Sequence, residues 1–204
     1  MAEAVFPDNT VLCNFAAVNR LDLLRDWLRG RGRWTDAVAL EASRSAAHLP
    51  ALGSLAAEGW LGDPVKIDDD FGVRQVEHLR TAVFGGTSGE PLKHLGEAQS
   101  CYLIKEVADW RGSWWITDDA DALEYARASG ITTRETIDVM RGIVADGDLT
   151  AREAFDLMNA MEKAGLVESE RRSPPWGWPR RHTHRAWQRP GTPGHRSSQL
   201  PERP

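Results

Sequence analysis

The chain has 204 residues, 41% of them apolar and 27% charged, which suits one domain of ordinary size and excludes a peptide hormone, a fibrous repeat or a large multidomain enzyme. Its net charge of −5 conceals a split: from Arg171 to Pro204 eight arginines stand against one acid, Glu202, a net of +7 that leaves −12 on the rest. That last stretch also holds seven of the 11 prolines and three of the nine tryptophans, with almost no aliphatic residue to bury, so it cannot offset the entropy of ordering.

Two parts are therefore expected: a folded domain over residues 1–168 and a basic, disordered tail over residues 169–204. The two cysteines, Cys13 and Cys101, lie in apolar stretches and offer neither a disulfide nor a zinc framework. The start carries an acid at Glu3 and no basic segment, unlike a secretory signal. No apolar run approaches the roughly 20 residues of a membrane span. The expected location is the cytoplasm.

In chain order, Val5-Phe6 reads as a short strand feeding a helix pair, with apolar residues at helical spacing from Leu12 to Leu28. Gly30 and Gly32 end that unit. Trp34-Thr35 reads as a short strand, and Thr35 or Asp36 as the cap of a helix from about Ala37 to His48 that Pro50 stops. A small helix follows over residues 54–58. Pro64 to Ile67 reads as another strand, and Asp68-Asp69-Asp70 as the acidic start of a helix to Phe84, with Val73, Val76, Leu79 and Val83 on one face.

A glycine-rich loop, residues 85–89, separates this from a helix starting at Leu95 and ending near Trp110. Ser113 to Thr117 is a strand of β-favouring residues, Asp118-Asp119 opens a helix to Ala128, and Ile131-Thr132 is the last strand. Two closing helices span about residues 134–145 and 150–164. Strands alternating with helices of ten or so residues imply an α/β domain with a mostly parallel sheet.

In such a sheet the functional crevice lies at the carboxyl ends of the strands. Asp8 follows the first strand and Asp118-Asp119 the Trp115-Ile116-Thr117 strand, while Glu41 and Glu97 lie on helices able to border the crevice. Carboxylates sharing a small volume repel each other unless a cation stands between them, and hard oxygen donors favour Mg²⁺ or Mn²⁺. Taken singly, Asp8, Asp118 and Asp119 serve equally well as helix caps, and Glu41 and Glu97 as solvated helix residues.

Phe6-Pro7-Asp8-Asn9-Thr10-Val11-Leu12 resembles the opening strand motif of PIN-domain proteins. Leu95-Gly96-Glu97-Ala98 resembles the acidic helix of that family's toxin-like branch, and Trp115-Ile116-Thr117-Asp118-Asp119-Ala120 its last acidic motif. The likeness covers roughly residues 4–168. It implies a three-layer α/β/α sandwich and a Mg²⁺- or Mn²⁺-dependent ribonuclease, often the toxin of a bacterial toxin–antitoxin pair, with RNA as substrate, a basic antitoxin as partner and homodimers as the assembly. Carried over by position, Asp8, Glu97 and Asp118 or Asp119 hold metal, and Glu41 joins Asp8, Glu97 and Asp119 as a catalytic acid. Asn9, Thr10 and Thr117 supply polar support. Since Asn9-Thr10 stands where Thr or Ser followed by Asn is more usual, either of the two can be the one that bonds the site.

Arg29, Arg31 and Arg33 form a basic patch that can meet RNA phosphate near the crevice, or be an ordinary solvated turn. The tail can be an RNA-binding arm, a cover for the acidic crevice, or a dispensable extension. Three other functions compete. One is a PIN-fold binding or scaffold module without catalysis. A phosphotransfer receiver needs a late lysine, and Lys163 lies in the last helix; an aspartyl phosphatase needs a second Asp where Thr10 stands.

Overall fold

The structure, a computed structural model, describes residues 3–171, with side chains as far as Ala164. Of the expected tail, residues 172–204 lie outside them, while residues 169–171 belong to the last helix. Parallel pairing joins β1 (Val5–Pro7), β2 (Trp114–Ile116) and β3 (Thr132–Arg134), with Phe6 level with Trp115 and Trp115 level with Thr133. Two isolated parallel bridges extend the free edge of β1: Val5 to Gly32, and Thr35 to Val65. Across the sheet the chain segments thus lie in the order third, second, first, fourth, fifth. The strand order reverses between β1 and β2, the position at which open parallel sheets bind their ligands.

The expected strand at 64–67 shrinks to the bridge at Val65. Pro64 has no N–H to give a ladder, and Gly62 before it turns at φ 68°.

Helices connect the strands. After β1 come α1 (Asn9–Ala17) and α2 (Leu21–Leu28); then α3 (Asp36–Ser45), where the Thr35 side chain accepts from the Val38 N–H as the sequence predicts. A 3₁₀ turn over Pro50–Ser54 leads into α4 (Leu55–Glu58). The helix α5 (Asp70–His78) is capped by Asp69, whose carboxylate accepts from Gly72 N–H.

The single helix expected to Phe84 does not form. At Leu79–Val83 the chain makes a π turn, which adds a residue to the turn and rotates everything after it. Val76 stays buried, but Val73 and Val83 are exposed, Phe71 is 59% exposed, and Arg80 takes the inward position at 1% exposure. The last five elements in chain order, β2 and β3 aside, are α6 (Leu95–Glu106), a 3₁₀ turn at Ala108–Trp110, α7 (Ala120–Ala128), α8 (Thr136–Asp146) and α9 (Ala151–Arg171).

Strand alternation divides the core in two. Val5 and Ile116 join a cluster with Leu12, Phe15, Leu24, Met140 and Met161, from α1, α2, α8 and α9. Phe6 and Trp115 join another with Ala98, Cys101, Tyr102 and Ala122, from α6 and α7. No helix among the described residues is long and apolar enough to cross a membrane.

Candidate metal centre at the carboxyl edge of the sheet

Asp8 leaves β1 at the reversal point. Its backbone N–H donates to the Ile116 carbonyl at 2.8 Å, which extends the β1–β2 ladder by one step and fixes the residue beside the end of β2. It occupies the N-cap position of α1, yet its carboxylate makes no capping bond. Instead Oδ2 accepts from the Thr10 hydroxyl at 3.2 Å and the Thr117 hydroxyl at 3.4 Å. Only 3% exposed, the carboxyl is pushed up to about 8 by burial, by Glu97 and, less, by Asp119; the Asn9 backbone and the Thr10 hydroxyl act against the rise.

Glu97 sits in the first turn of α6, and Glu41 comes from α3, which packs against it. The contact is close because position 96 is glycine. A Cβ there would lie 3.1 Å from Val38 Cγ2 and 3.3 Å from both Glu41 carboxylate oxygens. Burial first, then Asp8 and Glu97, push Glu41 up to about 9, offset in part by the Gly96 backbone and Arg44. Glu97 Oε1 lies 3.3 Å from Nδ1 of His94, a contact that raises the histidine's pKa. The sequence offered no motif for His94; its signal is backbone strain, φ 61° on a residue with a side chain.

The adjacent acids after β2 part company. Asp119 is the N-cap of α7, its Oδ1 accepting from Ala122 N–H at 2.8 Å, and its charge is felt by Asp8 and His94. Among the described residues no hydrogen bond reaches Oδ2. Asp118, expected as a metal ligand, turns the other way. Its Oδ1 accepts from the Thr136 N–H at 2.8 Å, and Oδ2 from the Thr136 hydroxyl at 2.5 Å and the Asn14 amide at 2.9 Å. Burial raises its pKa, and the like charge acting on it is Glu135, not Asp8. Successive residues leaving a strand point to opposite faces, so one of the pair had to face α1 and α8. Asn14 and Thr136 escaped the sequence reading, although Asn14 visibly interrupts the apolar run of α1.

Of the two residues after Asp8, Thr10 reaches its carboxylate with the side chain and Asn9 only with the backbone. Asn9 faces α3, its amide 3.4 Å from the Ser45 hydroxyl, and accepts from Cys13. The arginine patch lies away from the crevice. Gly32 is level with Val5, at the amino end of β1, so Arg31 and Arg33 flank the opposite edge of the sheet. Their groups are engaged there: Arg29 pairs with Asp146 at 2.9 Å, Arg31 stands over the Trp114 ring, and Arg33 donates to the Gly30 carbonyl.

Asp8, Glu41, Glu97 and Asp119 thus form one electrostatic cluster of oxygen donors, the kind hard divalent cations take. Among the described residues no ion pair involves Asp8, Glu41 or Asp119. Nor do any three His, Cys, Asp or Glu among them already stand in a geometry that could hold one ion. No family model, curated protein or solved structure matches the chain.

Proposed function

We propose that the chain is a Mg²⁺- or Mn²⁺-dependent ribonuclease with a PIN-like three-layer α/β/α fold, serving as the toxin of a toxin–antitoxin pair. The observation that carries the proposal is the gathering of Asp8, Glu41, Glu97 and Asp119 at the point where strand order reverses, with Asp8 raised to about 8 and Glu41 to about 9 and neither in an ion pair. A buried Asp8 and a half-buried Glu41, each raised by burial and by neighbouring acids, oppose folding in their charged forms unless a cation joins them, which is a functional signature rather than a stabilising one. The two cores on alternate strand residues, with helices of different groups in each, support the layered fold.

Asp8, Glu97 and Asp119 would hold the ion, with Glu41 beside them. A divalent ion there supplies a Lewis acid for the phosphoryl oxygens and acidifies a bound water. The chain's own contribution is placement. Thr10 and Thr117 fix the Asp8 carboxylate by donating to Oδ2, and the α7 N-terminus fixes Asp119 through Oδ1 alone. His94 orients Glu97 through Oε1. RNA reaches a body of net −12 only against repulsion, and the same charge suits an antitoxin segment that is basic. Homodimers are part of the same proposal.

A binding module that keeps the fold without catalysis is the second reading, favoured by the lack of a closed three-residue ligand set among the described residues. Calorimetric titration of the chain with Mn²⁺, with RNA cleavage followed in parallel, separates the two. The nuclease binds Mn²⁺, cuts RNA, stops in EDTA and recovers when Mg²⁺ or Mn²⁺ is returned. Mn²⁺ binding without cleavage selects the module, and cleavage that persists in EDTA refutes the metal-dependent mechanism.

A further inference from the structure

We propose that Arg80 is a positioning residue for the carboxylate site: through the loop after Val83 it fixes where His94 and Glu97 stand, an assignment that rests on the nuclease reading above. The loop has little else to hold it. From Gly85 to Lys93 only Gly86 is buried and only Leu92 half-buried, so apolar packing barely ties this stretch to the core. What enters the interior instead is the Arg80 guanidinium, turned inward by the π turn over Leu79–Val83.

Every arm of that guanidinium is used. Nε and Nη2 donate to the Glu77 carboxylate at 2.8 and 2.7 Å. Nη1 shares its protons among three main-chain carbonyls, those of Thr87 at 3.2 Å, Glu90 at 3.1 Å and Lys93 at 3.4 Å. A planar fork meets a carboxylate and a set of carbonyls at once, which an ammonium on a flexible stem cannot do. A buried charge stays only while its donors are satisfied, so the loop and the guanidinium fix each other. Gly86 belongs to the same device. A Cβ there would lie 2.5 Å from Nη1 and 2.9 Å from the Arg80 carbonyl oxygen.

The clamp ends where the site begins. Lys93, the last carbonyl it holds, precedes His94, whose left-handed backbone starts α6 and whose ring meets Glu97. The π turn on one side of the loop and His94 on the other are both sparsely populated backbone states, and such states persist only where the surroundings over-determine them. Glu97 needs the restraint, since Asp8 and Glu41 repel it across the crevice.

Hydrogen–deuterium exchange and Mn²⁺ calorimetry on the full chain test this, comparing the parent with Arg80→Lys, Glu77→Gln and Glu97→Gln. The Glu77 side chain is 56% exposed, so its variant retains the fold even if the buried lysine of Arg80→Lys does not. In both clamp variants, amides of residues 85–96 should exchange at least about tenfold faster while β1 and β2 keep their protection. Mn²⁺ affinity should fall about ten- to a hundredfold in Arg80→Lys, and less in Glu77→Gln. RNA cleavage should lose kcat while KM stays within about twofold. Unchanged exchange over 85–96 overturns the clamp, and faster exchange with parental Mn²⁺ affinity overturns its positioning role. Parent and Glu97→Gln taking up Mn²⁺ alike would instead remove the nuclease reading, and the exchange data would still decide the clamp.

Discussion

A carboxylate at an N-cap ordinarily caps, and Asp8 does not: its oxygens face two threonine hydroxyls and other acids, so its charge is a liability in the metal-free fold. Asp8 moves from 3.8 to about 8 on folding and Glu41 from 4.5 to about 9, so the folded chain keeps protons that the unfolded chain has released. The stability this gives is complete below about pH 4 and is lost as pH rises through about 8 to 9. Melting in EDTA should therefore fall from about pH 5 to about pH 9, and Mn²⁺ should raise it more at the upper end. Asp8→Asn should flatten that slope and stabilise the metal-free chain by about 1–3 kcal/mol at pH 8, with cleavage lost. A melting temperature indifferent to pH in the parent would contradict the buried charge. The neighbours Asp118 and Asp119 give a second contrast. Asp118→Ala strands the Thr136 N–H and hydroxyl proton and leaves the Asn14 amide only its 3.4 Å bond to the Thr136 hydroxyl, and should cost about 3 kcal/mol without changing Mn²⁺ affinity of the folded protein. Asp119→Asn keeps the Ala122 cap, so stability should hold within about 0.5 kcal/mol while cleavage falls about a hundredfold or more. The reverse pattern would exchange their roles.

Among the elements, the meeting of α3 and α6 sets the distance between Glu41 and Glu97, and Gly96 sets that meeting. Its backbone is helical, so Gly96→Ala gains about 1 kcal/mol of helix propensity. The added Cβ at 3.1 Å from Val38 and 3.3 Å from Glu41 opposes that gain by pressing the helices apart. Thermal stability should change by less than about 1 kcal/mol while cleavage falls at least about tenfold, the loss lying in geometry rather than folding. Cleavage at the parental rate would show that the spacing is not critical. Much of this level was legible in the sequence. Strands at Val5, Trp114 and Thr132 declare themselves by β-favouring residues beside turn signals, Thr35 by its capping chemistry, and four acids of the cluster by their place after strands or on α3 and α6. What escaped was set by tertiary context. Periodicity sees helix up to Phe84 because Val73, Val76, Leu79 and Val83 are spaced for it, whereas the π turn over Leu79–Val83 leaves Val83 exposed and Arg80 covered. Asp118 and Asp119 are chemically identical, and only the strand's alternation tells which faces the crevice. The arginine patch follows the helix-ending turn of α2 in sequence, and the bridge from Gly32 to Val5 puts it at the amino edge.

At the scale of the whole molecule the proposed nuclease requires the acidic body to meet RNA, and with Arg29, Arg31 and Arg33 engaged at the far edge the compensating charge has to come from elsewhere. The tail is the largest reserve: residues 172–204 contain seven arginines and one acid. Its arginines can neutralise phosphates of a bound RNA, and each phosphate neutralised on a single strand contributes about 0.7 to the slope of log affinity against log salt. A chain ending at Arg171 should bind single-stranded RNA more weakly at low salt, with a slope smaller by about 2 to 4, while its melting temperature and its Mn²⁺ affinity match the full chain. Equal affinity and equal slope would leave residues 172–204 without a part in RNA binding. Tighter binding after truncation would mean that the tail covers the acidic crevice instead of serving it.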